Sequence, residues 1–280
     1  MIARVFARQT EASPVDDLAF YDMPGLFLPD ITEVHVSCTF TYDKRRAEWL
    51  ANQWESVAPV KMGGPAYDDF TKDFIPGRYL KPGYTITSVG CNNKCWFCRV
   101  PKVAGSLKEL EIKDGWIIQD DNLLSCSEGH IKAVFEMLKR QKHRAEFRGG
   151  LEAKLLKPWH VELLRDLNPK NMFFAYDAPD DYEPLVVAGK ILNDAGFTLR
   201  GRKKFAYVLI GYPKDRMDKA EKRLRDTLRA GFMPFAMLYK NQFGQDDETW
   251  RRFQRTWARP AIIAANNKDI FREARHGTQE

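Results

Sequence analysis

Alternating strand and helix patterns run along most of the chain. Residues 1–30 carry no clear period and are interpreted as loop, whereas apolar and polar side chains alternate over residues 31–40, which predicts a strand. A helix with one apolar face is expected after Asp43, and residues 57–62 predict a second strand. The first part of the chain therefore predicts a small βαβ segment.

A glycine- and proline-rich stretch at residues 63–83 follows and is interpreted as a linker, with a domain boundary near residue 80. Residues 81–240 then repeat a strand pattern and a helix pattern six times. The six strand patterns are Tyr84–Val89, Trp116–Asp120, Glu146–Gly149, Met172–Tyr176, Phe205–Ile210 and Pro234–Leu238. Two of the helices end in Ala-Gly-Phe, at residues 195–197 and 230–232, where the glycine predicts a left-handed helix end.

Six strand–helix units in series predict a parallel sheet with its helices outside, because crossovers between parallel strands are right-handed. Six units are too few for a closed eight-stranded barrel. The expected fold is therefore α/β, an open partial (β/α)6 TIM-like barrel preceded by the small βαβ segment, with its active site at the carboxyl ends of the strands. Residues 241–280 predict a final helix, with Trp250, Phe253 and Trp257 at helical spacing, and a charged tail.

The composition is that of an ordinary globular chain. Of 280 residues, 44% are hydrophobic and 29% are charged, and 44 Lys and Arg against 38 Asp and Glu give a net charge of +6. This mildly basic balance is compatible with an anionic substrate or a nucleic acid. The sequence shows no signal peptide and no apolar run of about 18 residues, so we expect a cytoplasmic protein without a membrane partner.

Three of the five cysteines crowd into one loop directly after the first of the six strands. Their spacing is C-x3-C-x2-C, at Cys91, Cys95 and Cys98, and so short a loop can bring three thiolates to one metal centre. A cubane iron–sulfur cluster normally takes four cysteines, so three leave one iron open to a substrate. The alternative is a zinc site completed by Cys126, Cys38 or a histidine.

The motif C-x3-C-x-aromatic-C after the first strand of a β/α series resembles that of the radical S-adenosylmethionine (SAM) superfamily, and the resemblance covers roughly residues 80–240. It implies a 4Fe–4S cluster held by Cys91, Cys95 and Cys98, whose open iron binds the amino and carboxylate groups of SAM. An electron, supplied by a donor such as flavodoxin or ferredoxin, would then cleave SAM into methionine and a 5′-deoxyadenosyl radical. That radical abstracts hydrogen from a substrate that the sequence does not identify.

The same resemblance implies SAM contacts around the strand ends. Phe97 would pack beside the adenine, and Gly211 would let the fifth strand approach it closely. The family's Gly-Gly-Glu-like motif, which receives the SAM amino group after the second strand, corresponds here to Asp120, Asp121 and Asn122. This departure keeps carboxylate and amide acceptors but loses both glycines. The alternative is an ordinary acidic turn.

Two more acids stand where relatives place contacts to the ribose or carboxylate of SAM. Glu152 follows the third strand and Asp177 ends the fourth, and Lys154 or Arg148 is expected to meet the SAM carboxylate. Each acid has an alternative role as a cap of the helix that follows.

The N-terminal βαβ segment resembles a shortened, cobalamin-binding-like domain of the kind that often precedes this barrel. It lacks the D-x-H-x-x-G motif, and its one histidine, His35, falls inside a strand, so we expect a structural remnant without cobalamin. Cys126 is expected to be a buried thiol. Because no cysteine follows it, the resemblance excludes the dual-cluster subfamilies that deliver sulfur or oxidise a substrate through a second centre.

Two basic runs lie outside these motifs, at residues 139–148 and 200–204. Such runs are typical of solvated helix ends, and the alternative is binding of a nucleic acid. Two rival functions therefore stay open. One is a radical SAM enzyme that modifies a nucleic acid, and the other is a non-catalytic, metal-stabilised nucleic-acid-binding module.

Overall fold

The computed structural model describes residues 1–67, 74–75 and 77–276. The parts of the expected linker and tail that lie outside the described residues are 68–73, Pro76 and 277–280. The strands are β1 Ile2–Phe6, β2 Ala19–Phe20, β3 Glu33–Ser37, β4 Val60–Gly63, β5 Tyr84–Thr85, β6 Ser88–Val89, β7 Lys108–Glu109, β8 Ile117–Ile118, β9 Glu146–Phe147, β10 Asn171–Ala175, β11 Lys204–Ile210 and β12 Met233–Leu238. The helices are α1 Lys44–Trp54, α2 Val100–Val103, α3 Glu128–Lys139, α4 Pro158–Leu167, α5 Tyr182–Asp194, α6 Met217–Arg229, α7 Glu248–Thr256, α8 Pro260–Asn266 and α9 Lys268–His276.

The N-terminal segment folds as a parallel sheet of four strands in the order β2-β1-β3-β4. It contains the expected βαβ unit, because α1 connects β3 to β4 and buries the apolar face that the sequence predicts. The expected alternation along β3 fails: Val34, His35 and Val36 are all buried. Both faces of β3 are covered, because α1 packs against the strand and the rings of Phe74 and Tyr79 lie against His35.

The interpretation of residues 1–30 as loop is wrong at two places, because this part of the chain contains β1 and the two-residue strand β2. Residues Ile2–Phe6 form β1, which lies inside this sheet with Ala3 and Val5 fully buried. A strand of five residues with the polar Arg4 at its centre gives too short a pattern to identify from the sequence. The segment is therefore larger than one βαβ unit.

The second sheet has six parallel strands, and their spatial order follows the chain, from β5 through β8, β9, β10 and β11 to β12. This confirms the expected α/β class with parallel strands. Strands β5, β8 and β9 have two residues each, fewer than the sequence predicts, and β10, β11 and β12 have five to seven. The small hairpin of β6 and β7 stands beside this sheet as the single antiparallel pair of the described strands.

The helix ends expected at the two Ala-Gly-Phe triplets are confirmed. Gly196 and Gly231 have φ angles of 91° and 85°, in the left-handed region. The amide of Phe197 donates to Leu192 O at 2.8 Å, which satisfies a carbonyl in the last turn of α5. Both helices therefore end where the chain turns back to the next strand.

Two separate apolar cores result from this arrangement. One draws its buried residues from positions 3–66 and the other from positions 118–270, where helices cover one face of the large sheet. The opposite face carries packed aromatic rings: Phe173 stacks on Tyr207 with ring centres 4.7 Å apart, and Tyr207 meets Phe235 edge to face at 5.4 Å. Phe235 is 48% exposed, so this face stays open to solvent.

The C-terminal part has three helices, α7, α8 and α9, where the sequence predicted one. Trp250 and Phe253 of α7 pack against the large core, and Trp257 is buried at the end of α7. Within the described residues, every helix is too short or too polar to cross a lipid bilayer.

The N-terminal segment contacts the large sheet at both of its outer strands, β5 and β12. The carbonyl of Ala12 accepts the amide of Lys81 at 2.9 Å, just before β5. At the other end, the ring of Tyr42 lies against Gly244, in the loop after β12. The segment therefore bridges the two edge strands of the large sheet.

Candidate active site

The cysteine loop begins where β6 ends and is held by the backbone at both ends. Gly90 has a φ of 86°, and a side chain there would overlap Ser106 O, so the loop needs glycine at this position. The Cys91 amide donates to Gly105 O at 3.2 Å, and the Cys98 amide donates to Cys95 O at 3.1 Å. The loop therefore forms a fixed turn on the carboxyl side of β5.

The three thiols of the loop are free, Cys95 is exposed, and Cys91 and Cys98 are half-buried. Burial raises the pKa of the Cys95 thiol, and the charges of Cys98 and Asp181 raise it further. Burial also raises the pKa of Cys98, with added repulsion from Asp121 and Cys91. The three thiols therefore share one negatively charged neighbourhood, which a positively charged metal centre would relieve.

The donor set fits an iron–sulfur cluster in its chemistry, because it consists of thiols alone and each thiolate of a cubane binds a different iron. In the described ranges of the chain, no three His, Cys, Asp or Glu side chains are arranged to hold a metal ion. Cys126 and Cys38 are buried, and burial raises the pKa of both thiols to about 11, so they are neutral near pH 7.

Asp120 is buried at the end of β8 and binds the strand that leads into the cysteine loop. It accepts hydrogen bonds from the amide of Thr87 at 2.6 Å, the hydroxyl of Thr87 at 2.5 Å and the hydroxyl of Ser88 at 2.8 Å. Asp121 accepts from the amide of Gly90 at 2.8 Å. Both carboxylates therefore hold the start of the loop in place.

Asn122 and Glu152 lie next to the first cysteine of the loop. The amide Nδ2 of Asn122 donates to Glu152 Oε2 at 2.6 Å and lies 3.8 Å from Cys91 Sγ. Asn93 also donates to Glu152 Oε2, at 2.9 Å. The Oδ1 of Asn122 is buried and has no hydrogen-bond partner among the described residues. A buried acceptor without a hydrogen bond destabilises the folded chain, unless a ligand supplies the donor.

Asp177 lies at the end of β10, on the same side of the sheet. Its Oδ1 accepts the amide of Leu209 at 2.7 Å, and burial raises the pKa of its carboxyl to about 6. Lys154 stands nearby, with its Nζ 3.5 Å from Asp181. The structure thus brings an acid, a lysine and the charged surroundings of Cys95 to one region.

Aromatic side chains connect the cysteine loop to the end of β11. Trp96 is centred 5.2 Å from Tyr212 and 5.5 Å from Phe97, in edge-to-face contacts. Gly211 lies one residue before Tyr212, and a side chain at this position would press against the ring of Trp250 on α7. The loop after the first strand of the sheet therefore reaches the loop after the fifth.

Arg148 lies in a different setting from the other predicted residues. Its guanidinium binds Glu146 at 2.7 Å and Glu11 at 2.7 Å, and it donates to the hydroxyl of Tyr84 at 3.2 Å. These partners already use its donors, which leaves Lys154 as the cation that stands beside the site.

A cavity of about 350 Å³ lies between the N-terminal sheet and the cysteine loop. Residues directly after β1, β3 and β4 line one side of it, and Val89, Val100 and Asp121 line the other. His35 does not line this cavity, because its ring is buried in β3 and its Nδ1 shares a hydrogen bond of 2.5 Å with the hydroxyl of Tyr79.

Sequence reasoning missed several residues of this site. Asn93 lies inside the motif without being part of its pattern, and Thr87 and Ser88 are ordinary strand residues whose partner lies more than thirty positions away. The contact of Trp96 with Tyr212 joins residues more than one hundred positions apart. Only the three-dimensional placement of these residues reveals their roles.

No protein-family model matches the chain. The chain is similar to the ribosomal protein uS12 methylthiotransferase RimO of Stutzerimonas stutzeri strain A1501, with 29% identity over 182 residues, 58% of this chain and 39% of that protein. It is 28% identical over 160 residues to the RimO of Hydrogenovibrio crunogenus, covering 52% of this chain and 33% of that protein. The chain thus spans well under half the length of these curated relatives. The similarity supports the radical SAM superfamily and nothing narrower.

Proposed function

We propose that the chain is a radical SAM enzyme, with a 4Fe–4S cluster on Cys91, Cys95 and Cys98. The observation that carries the proposal is the buried amide of Asn122. Its Oδ1 lacks a partner in the described part of the chain, and its Nδ2 reaches both the first of these thiols and Glu152. An unsatisfied acceptor beside a cluster ligand suits the amino group of SAM.

When bound, the cluster would supply the electron that divides SAM into methionine and a 5′-deoxyadenosyl radical. The residues of the chain bind and orient SAM for this step. We assign Asn122 Oδ1 and the Glu152 carboxylate to the SAM amino group, and Lys154 to its carboxylate. Asp177 presents its second carboxylate oxygen to the ribose, and Phe97 lies beside the adenine.

Asp120 and Asp121 are assigned a positioning role in this proposal. The oxygens of Asp120 are engaged by Thr87 and Ser88, and Asp121 fixes the amide of Gly90. Both contacts fix the start of the cysteine loop relative to β8. A small error in the placement of reacting groups lowers the rate of a reaction strongly, so this support contributes to catalysis without contact with SAM.

We further propose that the six-stranded sheet curves as an open partial (β/α)6 barrel over residues 81–240, flanked by residues 1–80 and 241–280. The exposed aromatic face that includes Phe173, Tyr207 and Phe235 would then form its interior. An apolar enclosure keeps water from a reactive intermediate. The electron donor would be a small redox protein such as flavodoxin or ferredoxin.

The proposal stops at radical generation on an unidentified substrate. The name of the relatives describes methylthio transfer to a ribosomal protein, but the aligned part covers 39% and 33% of their lengths. By the family resemblance, sulfur delivery requires a second cluster. Within residues 1–280 the cysteines outside the loop are Cys38 and Cys126, both buried, and we assign no second cluster to them.

Anaerobic reconstitution tests the proposal. We expect a brown protein with about four irons per chain, which releases 5′-deoxyadenosine when given SAM and a chemical reductant. The variant Cys95→Ala should lose both the iron and this activity. A colourless protein that carries one zinc ion, or an iron-loaded protein that leaves SAM intact, would contradict the proposal and favour the metal-stabilised binding module.

A further inference from the structure

A basic groove lies at the amino ends of the strands of the large sheet, on the side opposite the cysteine loop. It has a volume of about 610 Å³ and lies between the turn that precedes β11 and the helices α8 and α9. Its lining residues are Arg200, Arg202, Ala264, Lys268, Phe271 and Arg272. The strands of this sheet are all parallel. The turn before β11 therefore lies at their amino ends, and the loop after β5 lies at their carboxyl ends.

The four cations of this groove have no acidic partner. Arg200, Arg202, Lys268 and Arg272 form no ion pair within the ranges of the chain described above. Charges of like sign that gather without counter-charges repel one another, and binding of an anion relieves that repulsion. The groove therefore has the electrostatics of an anion site.

The charges of α9 are divided between two faces. Lys268 and Arg272 are four positions apart and share the face that lines the groove. Asp269 and Glu273 share the neighbouring face, and Asp269 binds Arg225 of α6. Asp269 thus turns toward α6 and does not neutralise the cations of the groove.

The basic surface continues beyond the groove into the second basic run. Lys203 and Arg144, from two different loops, both donate to Asn168, at 2.5 Å and 3.2 Å to its Oδ1. Neither cation forms an ion pair in the described part of the chain. Arg144 of the first basic run and Lys203 of the second therefore meet at Asn168 and form a strip that continues the groove.

We propose that this groove and strip bind the phosphate backbone of a nucleic acid. A single small anion needs cations that converge on one point, whereas these cations come from two sides of the groove and continue beyond it to Lys203 and Arg144, as successive phosphates require. The ring of Phe271, half-buried in the floor, offers an apolar surface to a base. This inference is independent of the cluster and of SAM, because the groove lies at the amino ends of the strands and the cysteine loop lies at their carboxyl ends.

The test measures binding of the full chain, with its metal content restored, to a fluorescein-labelled oligouridylate of about 20 nucleotides. The groove variant is the triple change Arg200→Gln, Lys268→Gln and Arg272→Gln. The control variant, Lys132→Gln, Lys190→Gln and Arg252→Gln, removes the same net charge from exposed sites on α3, α5 and α7. Fluorescence anisotropy is followed as the salt concentration is raised from about 50 to 200 mM.

We expect the groove variant to bind roughly tenfold more weakly or worse, and the slope of log K against log salt to fall by about 0.7 for each cation lost. The control variant should stay within about twofold of the wild type. Iron content and SAM cleavage should be unchanged in both variants, which shows that the fold is intact. Equal weakening in the two variants, or wild-type binding by the groove variant, would overturn the proposal. Displacement of the oligouridylate by inorganic phosphate at constant ionic strength would overturn it as well.

Discussion

The side chain of Asn122 donates to Glu152 Oε2 at 2.6 Å while its own Oδ1 faces no partner in the described chain. This fixes the orientation of the amide, because Glu152 can only accept. The Nδ2 group then faces both Glu152 and Cys91 Sγ, 3.8 Å away, and Oδ1 is left as the free acceptor of the amide. One hydrogen bond between two polar residues thereby prepares an acceptor for a donor that comes from outside the chain.

Loss of this acceptor should weaken SAM binding without loss of the cluster. A hydrogen bond to a charged group contributes about 1.5–3 kcal/mol, so Asn122→Ala should lower the affinity for SAM by roughly ten- to a hundredfold. The measurement is an anaerobic SAM titration, with the cluster checked by absorbance. Asn92→Ala is the matched control, since Asn92 is exposed in the same loop. Wild-type affinity in Asn122→Ala would exclude Asn122 as the acceptor.

The two cysteines outside the loop should be dispensable for the cluster. Cys38 and Cys126 are buried outside the cysteine loop, whose three thiols are the ligands proposed above. Cys38→Ala and Cys126→Ala should therefore keep the iron content of the wild type, whereas Cys91→Ala or Cys98→Ala should lose it. Iron and sulfide analysis after reconstitution measures this. If Cys126→Ala also lost the cluster, four thiolates would bind it and no iron would be open.

Asp120 should matter for stability more than for SAM affinity. Asp120→Ala leaves the amide and hydroxyl of Thr87 and the hydroxyl of Ser88 without their buried acceptor. Each orphaned donor costs about 1–3 kcal/mol, so we expect a loss of several kcal/mol in the free energy of unfolding. Urea denaturation measures it, with the exposed Asp114→Ala as control. A fully stable Asp120→Ala protein that binds SAM weakly would instead make Asp120 a direct ligand.

Replacement of a helix glycine by alanine should change the melting temperature in opposite directions at Gly129 and Gly189. A side chain at Gly189 in α5 would overlap Ala230 O, which comes from the end of α6, whereas the space beside Gly129 in α3 is open. Alanine is favoured over glycine within helices by up to about 1 kcal/mol. Gly129→Ala should therefore raise the melting temperature slightly and Gly189→Ala should lower it. A melting temperature raised in both variants would mean that α5 and α6 can separate at no cost.

Stability should rise with pH above neutrality because of Lys204. Its Nζ is buried, donates to Asn193 Oδ1 at 2.7 Å and to Gly189 O at 3.1 Å, and burial lowers the pKa of the amine from its ordinary 10.5 to about 7. Between these values the unfolded chain binds more protons than the folded chain. The free energy of unfolding therefore increases with pH across this window, by at most about 1.4 kcal/mol per pH unit, and the gain is lost as pH falls toward 7.

Denaturation at about pH 7.5 and pH 9 measures this slope. The variant Lys204→Met has no amine to titrate and should show a flatter dependence. Lys190→Met, an exposed site on α5, should keep the slope of the wild type. Equal slopes in Lys204→Met and the wild type would assign the effect to other groups.

Long, regular patterns made most of the large sheet predictable. Strands β10, β11 and β12 lie close to the predicted ranges because their outer faces pack continuously on helices. Strands β5, β8 and β9 were placed correctly but predicted too long, since the chain leaves the sheet after two residues to form the site. The residues that orient this site belong to no pattern, because each pairs with a partner distant in sequence.

The contact of Tyr42 with Gly244 joins residues about two hundred positions apart. Contacts of such sequence separation form slowly, because the intervening chain must first be ordered. During synthesis the N-terminal sheet is complete long before its partner at residues 241–244 leaves the ribosome. We therefore expect the early chain to expose the surface around Tyr42 until residues 241–244 have been synthesised, which gives chaperones time to bind that surface.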